Sequence, residues 1–160
     1  VKIFTDGSYQ AKFKNFVGYA TIFVKEETDE AYTIDAIYGA IYSKSYAKLR
    51  NVAGEVIAAR IAINHCLESN IDDLEIFHDY TGVGMWADGL WKRNLPFTQD
   101  YYNFIQDARQ KLKIVFRHVA GHSGSTLNDL ADELAKEGIY DSALVDEGIQ
   151  KTLRSKNIKK

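Results

Sequence analysis

Four carboxylates stand in contexts that mark them out from the other acids of the chain. Asp6 closes the apolar run Ile3-Phe4-Thr5 ahead of Gly7 and Ser8, where the local alternative is an Asp-Gly turn. Glu55 shares a helical stripe with Val52, Val56 and Ala59, and a glutamate on the core side of a helix costs stability unless something binds it. Asp79 follows Leu74-Glu75-Ile76-Phe77-His78, at the carboxyl end of an expected parallel strand, where open α/β sheets place their ligand sites. Asp132 lies one turn after Asn128, beside the stripe Leu127, Ala131, Leu134 and Ala135. If the four converge, their repulsion is tolerable only with cations present, and oxygen-only ligation selects a hard ion such as Mg²⁺ or Mn²⁺. Two such ions roughly 3.5–4 Å apart can clamp the attacking and leaving oxygens of a phosphodiester. His122, in the loop Gly121-His122-Ser123-Gly124, is placed to move a proton near such a site. His65, His78 and His118 read as structural.

The elements that must position these groups follow from hydrophobic period. Val1 to Thr5, Val17 to Val24 and Ala31 to Tyr42 are β-rich, and the acidic run Glu26, Glu27, Asp29 and Glu30 between the last two reads as a hairpin turn. Val52, Val56, Ala59, Ile63 and Cys66/Leu67 then recur at helical spacing up to Ser69-Asn70. Leu74 to His78 is a strand, Tyr80 to Lys92 and Gln99 to Leu112 are helical, and Ile114 to Val119 is a fifth strand. Leu127 to Glu137 forms a last amphipathic helix, expected to stop at Gly138. The order predicts an α/β fold: a five-stranded mixed sheet, three strands antiparallel and then two parallel, flanked by helices. Residues 141–153 suggest at most a frayed helix, weakened by Gly148.

Composition sets the frame. With 160 residues, 46% of them hydrophobic and 26% charged, the chain is one domain's worth of protein with a proper core. No apolar run reaches membrane-spanning length. The single cysteine, Cys66, rules out an internal disulfide and suits a reducing compartment, hence a cytoplasmic location. A monomer without a membrane partner is expected. Lys and Arg total 20 against 22 Asp and Glu, which by itself argues against a general nucleic-acid coat. The charge is uneven, however. Residues 151–160 carry five basic groups and no acid.

In these contexts the chain resembles type 1 ribonuclease H, from Val1 to about Gly138. Thr5-Asp6-Gly7-Ser8, Asn51-Val52-Ala53-Gly54-Glu55, the strand ending in Asp79, Gly121-His122-Ser123-Gly124 and Asn128 to Ala135 occur in the family's order. The resemblance implies an α/β, ribonuclease H-like fold. It also implies an endonuclease that cuts the RNA strand of RNA–DNA hybrids with two Mg²⁺ ions, Mn²⁺ able to substitute, leaving 5′-phosphate and 3′-hydroxyl ends. Asp6, Glu55, Asp79 and Asp132 would be the metal-binding acids, and His122 the histidine of proton transfer or product release. Gly7 and Ser8 would approach RNA 2′-hydroxyls, Asn51 the minor groove, and Trp86 and Trp91 the DNA-strand channel. Residues 1–138 would then be the catalytic domain, and 139–160 a C-terminal extension with a basic end.

Two departures qualify the resemblance. Tyr80 stands where the family usually has serine or another small polar residue after the third acid. The stretch from Trp86 to Pro96 also holds only Lys92 and Arg93, in place of a long basic helix-loop handle, so hybrid binding through a handle should be absent or reduced. The phrases around Arg50 to Glu55 and Asp79 to Asn94 look most like bacterial members that carry an N-terminal hybrid-binding domain. A chain that opens inside a strand fits a catalytic domain excised from such a protein. The rival readings are a DNA nuclease on the same fold and a non-catalytic hybrid-binding module.

Overall fold

β-branched and aromatic residues dominate the first 42 positions, and they form a continuous meander: β1 (Lys2–Ser8), β2 (Phe16–Glu27) and β3 (Ala31–Tyr42). The computed structural model describes residues 1–120 and 125–160. After the meander come α1 (Lys44–Ala47), α2 (Asn51–Glu68), β4 (Asp73–His78), α3 (Gly82–Ala87) and α4 (Pro96–Ala108), then β5 (Lys113–His118), α5 (Thr126–Val145) and β6 (Gln150–Lys159). The sheet order is β5-β4-β1-β2-β3-β6. β1 pairs in parallel with β4, and β4 with β5, whereas the pairs β1–β2, β2–β3 and β3–β6 are antiparallel. The mixed α/β architecture is the one the sequence predicts.

Helices cover both faces, and alternation along the strands divides the core between them. Ile3 and Phe23 pack with Val56, Ala59 and Ile63 of α2 and with Tyr101 and Ile105 of α4. Ala20, Ile22, Ile34 and Ala36 pack instead with Leu127, Ala131 and Leu134 of α5. Each fully buried isoleucine or leucine contributes about 1.5–3 kcal/mol relative to exposure. The central strand β2, sandwiched by α2 and α5, is buried over its first eight residues.

Several expectations are corrected. The sheet has six strands where five were expected, because residues 150–159, of which only 150–153 fell in the expected frayed helix over 141–153, pair with β3. Their pattern is hidden by a bulge. Leu153 and Ile158 lie five apart, which on a regular strand would put them on opposite faces, yet both pack toward α5. An extra residue near Ser155, held at φ 51° with its N–H donating to Asp35 Oδ1 at 2.9 Å, restores the parity. The last helix does not stop at Gly138 but runs on to Val145. There glycine marks a close crossing: a Cβ on Gly138 would collide with the backbone of Gly39. Asp6-Gly7-Ser8 continues β1 where the local alternative was a turn. The helix expected over Tyr80 to Lys92 is confined to Gly82–Ala87. The short α1, capped by Ser43 Oγ accepting from the Tyr46 N–H, had no periodic signal.

Candidate active site

β1 and β4 run side by side in the same direction, with Phe4 opposite Phe77. Two residues further along that register stand Asp6 and Asp79, at the carboxyl ends of adjacent parallel strands. Glu55 arrives from the second turn of α2. Its approach depends on Gly7, where a Cβ would collide with the backbone N of Glu55 and the carbonyl of Asn51. With only hydrogen there, α2 settles onto β1 and brings Glu55 down beside the strand ends.

The result is a compact acid site. Asp6, Glu55 and Asp79 each offer a carboxylate oxygen, and these atoms lie within 4.8 Å of one another. Glu55 is 1% exposed and Asp6 3%, while Asp79 is half-buried. Burial pushes the Asp6 carboxyl up to about 7; a hydrogen bond with Glu55 works against that rise, and the charges of Asp79 and Asp132 add to it. Burial, then proton sharing with Asp6 and Asp79, holds Glu55 well above the usual carboxylate range. Glu55 Oε2 is buried without a hydrogen-bond partner among the described residues. Three oxygen donors that repel one another, one of them orphaned, fit a hard divalent cation.

The fourth acid stands slightly apart. Asp132 Oδ2 is paired across one turn of α5 with Lys136 Nζ at 2.9 Å, although its charge still reaches Asp6. His122 lies outside the described residues. Gly7 is buried under α2 and Ser8 is 5% exposed, whereas Asn51 is exposed at the first turn of α2. Trp86 is half-buried and Trp91 is exposed, with their rings 5.6 Å apart at 83°.

Two histidines that sequence reasoning set aside support the site. His78 and His118 face each other across β4 and β5. His78 Nδ1 lies 2.9 Å from the Tyr80 carbonyl, and His118 Nε2 lies 2.9 Å from the Asp79 carbonyl. Burial depresses the His78 pKa, and because the Tyr80 carbonyl can only accept, Nδ1 is the donor. Together they pin the turn that carries Asp79. Sequence reasoning also missed a basic cleft of ≈ 550 Å³ beside Asn51, lined by Tyr9, Lys14, Asn15, Lys44, Lys48 and Arg50. Asn15 and Arg50 both have positive φ, 70° and 54°. The interrupted stretch 43–50 offered only its lysine and arginine count as a signal.

A mixed sheet with helices on both faces and acids at the carboxyl ends of β1 and β4 defines the ribonuclease H-like class of α/β proteins. The RNase H family model matches residues 1–140, and the chain belongs to the RNase H family. It is 32% identical over 103 residues to ribonuclease H of Mesorhizobium japonicum, a match covering 58% of each protein. The chain therefore spans just over half of that relative, and it matches only 36% of the mammalian ribonuclease H1 proteins. Among solved structures, RNase H1 of Halobacterium salinarum superposes with a TM-score of 0.69 at 20% identity, over 88% of this chain and 98% of that one. LC11-RNase H1, solved in complex with an RNA/DNA hybrid, superposes with a TM-score of 0.67 at 21% identity, over 89% and 98%. At these identities the two structures bear on the fold alone.

Proposed function

We propose that this chain is an endonuclease that hydrolyses the RNA strand of RNA–DNA hybrids, leaving 5′-phosphate and 3′-hydroxyl ends. The observation that carries the reading is the convergence of Asp6 and Glu55, both buried, with the half-buried Asp79, in a member of the RNase H family. These three acids, with Asp132 alongside, would hold two Mg²⁺ ions, or Mn²⁺ in their place. Such ions, when bound, supply Lewis-acid charge for water activation and for the leaving oxygen.

The chain's own residues do the rest. Glu55, locked between α2 and β1, cannot swing away from Asp6, so the donor oxygens are held in place before substrate arrives. His78 and His118 keep the Asp79 backbone in register with β5. Asp132 serves as the more mobile acid, exchanging Lys136 for the site, and His122 as the proton-transfer or product-release residue. Lys14, Lys44, Lys48 and Arg50 offer charge to phosphates next to Asn51, which partly replaces the missing handle. Gly7, Ser8 and Asn51 would meet the RNA strand, and Trp86 and Trp91 the DNA strand. Residues 1–138 are proposed as the catalytic domain of a cytoplasmic monomer, with 139–160 as its extension. Among the described residues no helix is long and apolar enough to cross a membrane.

The test is cleavage of end-labelled hybrid, duplex DNA and duplex RNA with and without Mg²⁺. Mg²⁺-dependent cuts in the RNA strand of the hybrid alone are expected, and Asp79→Asn should abolish them. Cleavage of duplex DNA, or unchanged cleavage by Asp79→Asn, would overturn the assignment.

A further inference from the structure

We propose that the cavity between α1, α2 and α4 binds an unpaired guanine base at the flank of the hybrid. The proposal rests on the hybrid-hydrolase reading and deepens it. The cavity holds ≈ 480 Å³, and its lining includes Tyr46, Val56, Ile57, Arg60, Phe97 and Asp100. That volume lies within the range of small-ligand pockets. Neighbouring residues of α1 face two different cavities. Tyr46 lines this one, whereas Lys44 and Ala47 line the basic cleft beside Asn51. A strand whose phosphates lie in the cleft thus has the pocket as its next neighbour.

Two features of the lining point to a base. The rings of Tyr46 and Phe97 meet edge to face, with centroids 5.2 Å apart at 64°, and with the buried Val56 they make an apolar corner. A flat ring laid against that corner stacks without regard to which base it is. The second feature is a pair of charges. The Arg60 guanidinium stands 4.3 Å from the Phe104 ring centroid, and Asp100 lies one helical turn before Phe104 on α4. Among the described residues, neither Arg60 nor Asp100 forms an ion pair, with each other or with a third group. An arginine that gives its face to a ring keeps its N–H edge for a ligand.

The occupant that fits has apolar faces and carries, along one flat edge, donors for a carboxylate beside an acceptor for a guanidinium. Guanine has that edge. Its N1–H and N2–H donate side by side to a carboxylate, and the neighbouring O6 accepts from a guanidinium. Adenine and cytosine offer the carboxylate a single amino group, and uracil or thymine a single ring N–H. Within the paired hybrid these edges are taken. The occupant is therefore a base outside the duplex, which enters without first breaking a pair.

The test measures binding by anisotropy in an Asp79→Asn background. The probes are hybrids with flush ends, or with a short unpaired run of guanine, adenine, cytosine or thymine on each strand end in turn. Guanine at one of these ends should tighten binding about 10-fold over the flush hybrid, and the other bases less than about threefold. Asp100→Asn and Arg60→Lys should each bring the guanine-to-flush ratio down to about threefold or less. If Arg60→Lys fails to fold, Asp100→Asn decides, since that side chain is exposed. Equal affinity for all four unpaired ends, or a guanine preference that survives Asp100→Asn, would overturn the inference. So would a dimer in sedimentation that Tyr46→Ala abolishes, because a second copy would then fill the pocket. Binding of guanosine 5′-monophosphate, lost in Asp100→Asn, by a protein that cuts no hybrid would overturn the proposed function and leave the pocket standing.

Discussion

Asp6 and Asp79 each lie two residues beyond the paired Phe4 and Phe77, at the carboxyl ends of two parallel strands, with Glu55 lowered onto them from α2. Parallel neighbours bring their strand ends to the same edge. Two acids separated by 73 positions in the chain thereby come within a few ångströms of each other. The arrangement stores electrostatic repulsion in the metal-free protein, and most of its testable behaviour follows from that.

Removing one charge should relieve the repulsion. Asp79→Asn, besides abolishing cleavage, should stabilise the metal-free protein by about 1–3 kcal/mol, read as a higher Tm in EDTA. It should also shrink the Tm gain on adding Mg²⁺. A lower Tm in EDTA would mean that Asp79 has a structural partner that outweighs the repulsion.

The raised carboxyls make stability depend on pH in a defined sense. Asp6 has an ordinary value of 3.8 and a folded value of about 7, and Glu55 is shifted the same way. The folded state therefore binds more protons than the unfolded chain between those values, and metal-free stability falls as pH rises from about 4 to about 7. A divalent ion competes with those protons. The Mg²⁺-induced rise in Tm should accordingly be small at pH 5 and large at pH 8, measured in matched buffers with and without EDTA.

Gly7→Ala should act on stability and catalysis together. The added methyl meets the backbone of α2 rather than a flexible side chain, so the helix must lift, at a cost of about 3 kcal/mol. Glu55 moves with it. Chemical denaturation and hybrid cleavage, run on the same preparation, should both suffer, whereas full activity with intact stability would show that α2 can shift without consequence.

The basic cleft predicts a salt effect. Replacing both Lys48 and Arg50 by alanine should weaken hybrid binding about equally for all sequences. It should also reduce the slope of log K against log salt by about 2, as measured by anisotropy at several salt concentrations. An unchanged slope would remove the cleft from the binding surface.

The parts of the fold that were legible in the sequence are those whose signal is local. Strands β1 to β5 are apolar, β-branched runs and helices α2, α4 and α5 carry apolar residues at helical spacing, and the acids stand out because they interrupt or border those runs and stripes. Where tertiary contact overrides the local rule, the pattern misleads. Gly138 looks like a helix stop but marks a crossing over β3, and β6 hides its apolar pair behind a bulge at Ser155 and a run of lysines.

The same division holds for the site. By itself the sequence singled out Asp6, Glu55, Asp79 and Asp132 as candidates, because residue type and local context carry that information, and the near-equal count of 20 bases against 22 acids concealed an acidic cluster that fits a divalent cation. Only the tertiary structure decided that Asp6, Glu55 and Asp79 form the compact set while Asp132 is held back by Lys136. It alone set two histidines to pin the turn after β4. These are relationships between residues on different strands and helices, fixed by strand direction, register and the closeness that a missing Cβ allows, and no periodicity within a single segment encodes them.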